Sequence, residues 1–365
     1  LNQIQHIIAR AKSQKSAFWK TALSRDITMP GNPVKLSRHE KAALCFLSIN
    51  SPNELRQALT RDSFHALQNQ INYPCYAHHQ ITKKSGGKRN IFEPSPELKK
   101  IQKRLNYYLQ GYYLLIKPKE VHGFVINPSY LETQSNIVEN AKPHINKKVI
   151  LNIDLQDFFP SITSRMVKKL FDSSFFDFDN QIATALTLLT TFEGKLPIGA
   201  PTSPVISNFV CAQLDQDLRE FSALNLLTYT RYADDLTFSG NNAITKGMIS
   251  EINSIIQKNH FKMNEKKLRI RTNNRQQIVT GLTVNEKVNV DRKLLKKVRA
   301  MIFDLEKNGV SIAAQKHFKL NAPSEELSIS FLNRLEGYVN FIGQVRGSED
   351  RVYLRYDRLF SPVIF

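Results

Sequence analysis

Ten residues constrain this chain more than any others: Arg231-Tyr232-Ala233-Asp234-Asp235-Leu236-Thr237-Phe238-Ser239-Gly240. Residues 226–232 are rich in Leu, Thr and Tyr and read as a strand, and 236–239 read as a second. Two carboxylates fall in the tight connection between them, as a hairpin would place them. Adjacent aspartates repel, so a fold that gathers them without a counter-charge gives up stability. A divalent cation removes the conflict, and oxygen-only donors suit magnesium. An Asp-Asp turn facing water needs no cation, because Asp is at home in turns. The choice depends on a third carboxylate and a nucleotide pocket elsewhere in the chain.

The third carboxylate is Asp154. Residues 148–155 carry Val149, Ile150, Leu151 and Ile153 and read as a strand that ends in Asp154-Leu155-Gln156-Asp157-Phe158-Phe159-Pro160. Delivered beside the hairpin, Asp154 completes a set able to hold two metals, one at an attacking oxygen and one at a leaving pyrophosphate. Phe159 is either core or the floor under a sugar. Two further stretches are candidates for the nucleotide. Residues 76–82 and 90–93 read as strands around Lys83-Lys84-Ser85-Gly86-Gly87-Lys88-Arg89. That is either a solvated basic turn or a clamp whose cations meet a triphosphate. The second stretch, Leu196-Pro197-Ile198-Gly199-Ala200-Pro201-Thr202-Ser203-Pro204, is too rich in Pro and Gly for a helix. It is either a connector or a loop lying close to a template base, with a helix starting near Ser203 and Pro204 at its first position.

The 365 residues suggest two or three subdomains. Lys and Arg outnumber Asp and Glu by 51 to 32, a net charge of +19 that calls for a polyanionic partner. No apolar run reaches the ~20 residues of a membrane span, and no segment has the layout of a signal peptide. Cys45, Cys75 and Cys211 are too widely spaced for a zinc or disulfide framework. The expectation is a cytoplasmic nucleic-acid-binding protein. Capping patterns at Ser37/Glu40 and Ser51/Glu54 announce helices in a basic amino-terminal region. Ser95-Pro96 opens another, with Leu98, Ile101, Leu105 and Leu109 in one stripe. His122 and His144 read as buried, satisfied histidines. Residues 179–191 and 246–258 read as helices, and 268–271 and 277–285 as strands, the latter broken by Gly281. From Asp291 on the chain is helical and basic. Leu294, Leu295, Val298, Ile302 and Leu305 make a stripe with Lys293, Lys296, Lys297 and Arg299 around it. A second helix spans about 329–341, and residues 346–358 interleave arginines with aromatics, which suits RNA.

Asp154 with Phe159, then Gly199-Ala200-Pro201-Thr202-Ser203-Pro204, then Tyr232-Ala233-Asp234-Asp235, in that order, resemble a reverse transcriptase. The likeness covers about residues 76–285. Asn140-Ala141-x-x-His144 and Val279-Thr280-Gly281 further resemble bacterial retron enzymes. The chain also stops soon after one basic helical segment, so no maturase domain is expected. The resemblance implies an α+β right-hand polymerase fold: an amino-terminal helical region at 1–75, fingers and palm at 76–285, and a helical, RNA-binding thumb at 286–365. The palm would be an antiparallel sheet backed by helices.

Position by position, the resemblance implies that Asp154, Asp234 and Asp235, with the Leu155 carbonyl, bind two Mg2+ ions. Phe159 would be the gate against a ribose 2′-OH, and Gly199, Ala200 and Pro201 would line the nucleotide. Lys83, Lys84 and Arg89 would touch the triphosphate. Lys267, with Lys266 as the alternative, would give a proton to pyrophosphate. Asn140, His144, Val279, Thr280, Gly281, Lys296 and Lys297 would hold the RNA. The implied reaction copies a cognate non-coding RNA from dNTPs into a branched RNA–DNA hybrid (msDNA), in anti-phage defence with a separate effector protein. One departure is Ile198, where the family usually has Gln. An abortive-infection or diversity-generating reverse transcriptase, or a silent palm that only binds RNA, are the alternatives.

Overall fold

The structure is a computed structural model and describes residues 2–15, 36–82, 86–131, 134–319 and 324–364. The chain begins with helices α1 (Asn2–Ser13), α2 (Arg38–Leu47), α3 (Pro52–Leu59) and α4 (Phe64–Asn72), followed by strands β1 (Tyr76–Thr82) and β2 (Lys88–Pro94) and helix α5 (Pro96–Ile116). Next come α6 (Ile137–Ala141), β3 (Val149–Asp154), α7 (Phe158–Ser161), α8 (Ser164–Asp172), α9 (Asn180–Thr190), α10 (Ser203–Val210) and α11 (Ala212–Leu224). Then follow β4 (Thr228–Tyr232), β5 (Asp235–Gly240), α12 (Lys246–Lys258), β6 (Arg269–Thr272), β7 (Ile278–Val279) and β8 (Leu282–Thr283). The chain closes with α13 (Arg292–Phe318), α14 (Glu325–Arg346) and α15 (Arg351–Ile364).

Two compact units result. One is Leu1–Asn136, Ile153–Leu236 and Thr245–Leu268; the other is Ile137–Asn152, Thr237–Ile244 and Arg269–Phe365. This differs from three consecutive blocks divided at 75 and 285. The reason is that β3 and β5 each begin in one unit and end in the other, so strands rather than linkers carry the chain across. The sheet order is β4-β5-β3-β6, with β3 and β6 antiparallel from Val149↔Thr272 to Asn152↔Arg269. β3 is buried along most of its length, as a strand covered on both faces should be.

The caps of the first unit follow the sequence. Glu40 N donates to Ser37 Oγ (3.2 Å) while Ser37 N donates to Glu40 Oε2 (2.6 Å), and Glu54 N donates to Ser51 Oγ (3.2 Å). Leu98, Ile101, Leu105 and Leu109 of α5 are buried, as their spacing predicts. The core is unusually aromatic. The Phe176 ring lies 5.0–6.2 Å, centroid to centroid, from Phe209, Phe171, Tyr112, Phe178 and Phe46. β1 and β2 pair antiparallel from Tyr76↔Pro94 to Thr82↔Lys88 and are exposed over most of their length.

In the second unit, Val279, Leu282 and Val284 pack with Val298 and Ile302 of α13 and Phe331, Leu335, Val339 and Ile342 of α14. The strand expected over 277–285 is instead the short pair β7–β8, turning at Thr280 (φ 46°) and Gly281 (φ 82°). α13 is broken at Gly309 (φ 75°, ψ 168°), a conformation outside the helical region. α14 outruns the expected 329–341 because Ser324 caps it, accepting from Leu327 N at 3.0 Å. The basic-aromatic tail is mostly helix α15. It buries Tyr356 and Phe360 and leaves Arg351, Arg355 and Arg358 exposed on one face. Two other boundaries shift. Leu226, at φ 54°, lies in the turn before β4, and α10 starts with Ser203, which makes Pro204 its second residue.

Candidate active site

β3 delivers Asp154 to the β4–β5 turn through backbone hydrogen bonds. Leu155 N donates to Asp234 O (3.0 Å), and on the other side Asn264 N donates to Asp154 O (2.8 Å) and Gln156 N to Lys262 O (2.8 Å). Asp154 is therefore fixed between the hairpin and the segment 262–264. Its side chain is also engaged. Lys267 Nζ donates to Oδ1 (2.7 Å) and Asn264 Nδ2 to Oδ2 (3.1 Å). The turn itself is tight, with Ala233 at φ 59°.

The electrostatics follow from this arrangement. Desolvation, then Asp154, push the Asp234 carboxyl above its usual range, while Lys267 and Arg89 oppose the shift. The Asp235 carboxyl is open to solvent on one side but crowded on the other. That desolvation, with Asp234 and Asp154, pushes it up to about 6. The Lys267 ammonium is held above its ordinary value, first by its hydrogen bond to Asp154. Asp154, Asp234, Asp235, Lys267 and Arg89 thus form one charged group, in which the carboxylates repel and cations compensate. Lys266 is exposed and outside this set. Among the described residues no three Asp, Glu, His or Cys side chains are already gathered as a metal cage. The Asp154 oxygens are occupied by Lys267 and Asn264. Leu155 is buried to 1% exposure, and its backbone carbonyl is the one oxygen it could offer a cation.

Beside the carboxylates, the half-buried Phe159 ring lies 5.4 Å from Phe158 and 5.6 Å from Phe124, centroid to centroid. The loop 196–204 is bound to the β1–β2 hairpin, since Phe92 N donates to Ile198 O (2.7 Å). Gly199 is required there. Its φ is 118°, and a Cβ would lie 2.8 Å from Phe92 O. Ala200 is buried, Gly199 exposed and Pro201 intermediate, so the loop offers mainly backbone. Ile198 also serves through its carbonyl. Lys83 and Lys84 lie outside the described residues.

The RNA-contact candidates separate into two groups. Asn140, His144 and Val279 have 1%, 0% and 0% exposure and belong to the interior, so any part they take in holding RNA is indirect. His144 Nδ1 lies 2.7 Å from Ser239 Oγ, the satisfied histidine of the alternative reading. Thr280 donates to Ile137 O (3.2 Å), and Gly281 is the exposed tip of the same turn. Lys296 and Lys297 are exposed, with Lys297 Nζ donating to Tyr338 OH (2.9 Å). His122 departs from its reading. Burial, then Lys117, push its pKa down to about 4, and its Nδ1 meets no hydrogen-bond partner among the described residues.

Sequence reasoning missed four residues around the aspartates: Asn264 and the buried trio Arg231, Asp215 and Asn208. Arg231 is fully buried, its Nη2 2.6 Å from Asp215 Oδ2, and its Nη1 donates to Asn208 Oδ1 (3.0 Å) and Ala233 O (3.1 Å). The available signal was a lone arginine in an otherwise uncharged strand, two residues before Ala233 of the turn.

The reverse transcriptase (RNA-dependent DNA polymerase) family matches residues 81–320. The Ec86 retron reverse transcriptase of Escherichia coli is 36% identical over 235 residues, 62% of this chain and 69% of that one. The Mx65 and Mx162 retron enzymes of Myxococcus xanthus are 31% and 33% identical, covering 74% and 64% of this chain and 64% and 53% of their own lengths. A solved telomerase from Candida albicans, in complex with a telomeric RNA fragment, superposes with a TM-score of 0.46 at 10% identity, covering 80% of this chain and 63% of that one. With the carboxylate hairpin, the strand-borne Asp154 and the family match in agreement, the chain belongs to the reverse transcriptase family in its bacterial retron branch, an RNA-directed DNA polymerase of right-hand fold.

Proposed function

We propose that this chain copies its own cognate non-coding RNA into DNA, starting from a 2′-OH of that RNA and yielding a branched RNA–DNA hybrid. The observation that carries the reading is the convergence of Asp154, Asp234 and Asp235 with Lys267. Their donor set is oxygen-only and carries more negative charge than its cations offset, which fits divalent metal. We assign two magnesium ions to Asp154, Asp234, Asp235 and the Leu155 carbonyl. Once bound, the ions supply charge neutralisation at the attacking and leaving oxygens.

The chain's own residues do the rest. Lys267, an ammonium 2.7 Å from Asp154, is placed to give a proton to the departing pyrophosphate. Arg89, within electrostatic range of Asp234, meets the triphosphate from the hairpin, and Lys83 and Lys84, outside the described residues, are assigned the same role. Phe159 lies under the sugar and excludes a 2′-OH, while the Gly199–Pro201 backbone lines the base. The net charge of +19 supports a polyanionic partner. Thr280, Gly281, Lys296 and Lys297 offer it exposed contacts, and Asn140, His144 and Val279 support that surface from within. No described helix is long and apolar enough to cross a membrane. A cytoplasmic setting, a separate effector and a role in phage defence complete the proposal by likeness to the family.

Asp234→Asn tests it. Magnesium-dependent DNA synthesis on the copurified RNA should be lost while binding of that RNA persists. Full synthesis by this variant would remove the metal assignment.

A further inference from the structure

The segment 120–124 is absorbed by none of the roles above, yet it joins the catalytic turn to the aromatic beneath the sugar. It lies along β4 like an added parallel strand. Arg231 N donates to Glu120 O (2.9 Å), His122 N donates to Arg231 O (3.0 Å), and Val121 bridges to Arg231. Gly123 then passes so close to the turn that a Cβ there would lie 2.4 Å from Ala233 N. Its carbonyl accepts from Asn208 Nδ2 (2.9 Å), and Asn208 Oδ1 accepts from Arg231 (3.0 Å), whose guanidinium also holds Ala233 O.

The next residue, Phe124, is forced to φ 60°, a costly conformation for a bulky side chain. It is pinned there from α5, since Gln110 Nε2 donates to Phe124 O (3.0 Å) and Gln110 Oε1 accepts from Ile126 N (3.3 Å). The result aims the Phe124 ring at Phe159, 5.6 Å away at an interplanar angle of 41°. A strained backbone maintained from two sides points to a constraint beyond packing. Phe159 has Phe158 as its other aromatic neighbour, and Phe158 is itself buried against Phe261. Phe124 is therefore a half-buried aromatic neighbour of Phe159, in contrast to the buried Phe158.

We propose that Phe124 is a specificity-determining positioning residue: it fixes the Phe159 ring against the sugar and so sets the discrimination between deoxyribonucleotides and ribonucleotides. The Arg231–Asn208–Gly123 hydrogen bonds reference its position to the turn that carries Asp234. A ring free to tilt away from the sugar leaves space for one hydroxyl, and this is the space that Phe124 denies. The inference rests on the proposed gate role of Phe159.

The experiment measures kcat/KM for dNTP and for the matching NTP on the copurified RNA with wild type, Phe124→Ala, Phe124→Tyr, Phe159→Val and the Phe124→Ala/Phe159→Val pair. Thermal melts check folding. Phe124→Ala should raise the NTP:dNTP ratio by about tenfold or more, mainly through a lower KM for NTP, the scale of one lost contact in a specificity pocket. Phe124→Tyr keeps the ring and should retain the wild-type ratio. The pair should match Phe159→Val alone, because both changes act on one ring. If Phe159→Val relaxes discrimination and Phe124→Ala does not, the inference fails and the gate stands. If neither relaxes it, the gate reading fails and the inference with it.

Discussion

Arg231 contributes an ion pair whose removal from one side only is severe. With no exposure at Arg231 and 3% at Asp215, truncating one partner strands a buried charge. Arg231→Met or Asp215→Asn alone should lower stability by about 3–5 kcal/mol in urea titrations, whereas a volume-matched apolar pair should lose much less. The lysines near Asp154 make a second prediction. Lys267→Ala should cut single-turnover DNA synthesis by roughly 10²-fold or more, the usual contribution of a positioned proton donor. Lys266→Ala should stay close to wild type, and equal losses would remove the assignment. The three aspartates were legible in the sequence because two are adjacent in a turn and one ends an apolar strand. Arg231 was not, since a charge inside a strand reads as its solvent face until its partner is known, and Asp215 lies on α11. Asn140 and His144 were legible as a spaced pair, but spacing gives no side-chain direction, and both point inward.

The helices of this chain are announced by their caps, and the strands less well. Ser37, Ser51 and Ser95 mark true starts because a hydroxyl accepting the third amide is a local interaction visible in four residues. The β7–β8 pair is legible in the sequence only as a strand broken at Gly281, because a full reversal there also depends on positive φ at Thr280, a non-glycine residue. The break at Gly309 was hidden inside a continuous helical pattern. Two predictions belong here. Phe176→Ala opens a cavity among five rings and should cost about 3–5 kcal/mol in denaturant melts. Asp350 accepts from Arg346 (2.7 and 2.9 Å) and caps α15 through Val352 N and Tyr353 N (2.9 and 3.2 Å). The Arg346 bond is the largest cause holding its carboxyl below the usual range. A lowered folded-state pKa means the stabilisation is complete above the unfolded value of about 4 and is lost as pH falls through the folded one. The stability gap between wild type and Asp350→Ala should therefore be full at pH 7 and close as pH falls below about 4; a gap unchanged down to the folded pKa and beyond would refute the assignment.

For the molecule as a whole, the surplus of cations fits a partner that carries many phosphates. Affinity for the copurified RNA should fall steeply with salt, with a log–log slope of about −4 to −5 if six phosphates are neutralised. A flat response would show that the charge is not directed at nucleic acid. The interleaving of the two compact units has a separate consequence for anyone who wishes to divide this polymerase. A cut near residue 285 yields no separable module, because the carboxy-terminal helices share their apolar interior with Val138, Ala141, Ile150, Val279 and Leu282. A fragment ending there would present those side chains to water and precipitate, and a graft of residues 286–365 onto a relative would arrive without its own foundation. Moving this unit between relatives means transplanting 137–152, 237–244 and 269–365 together.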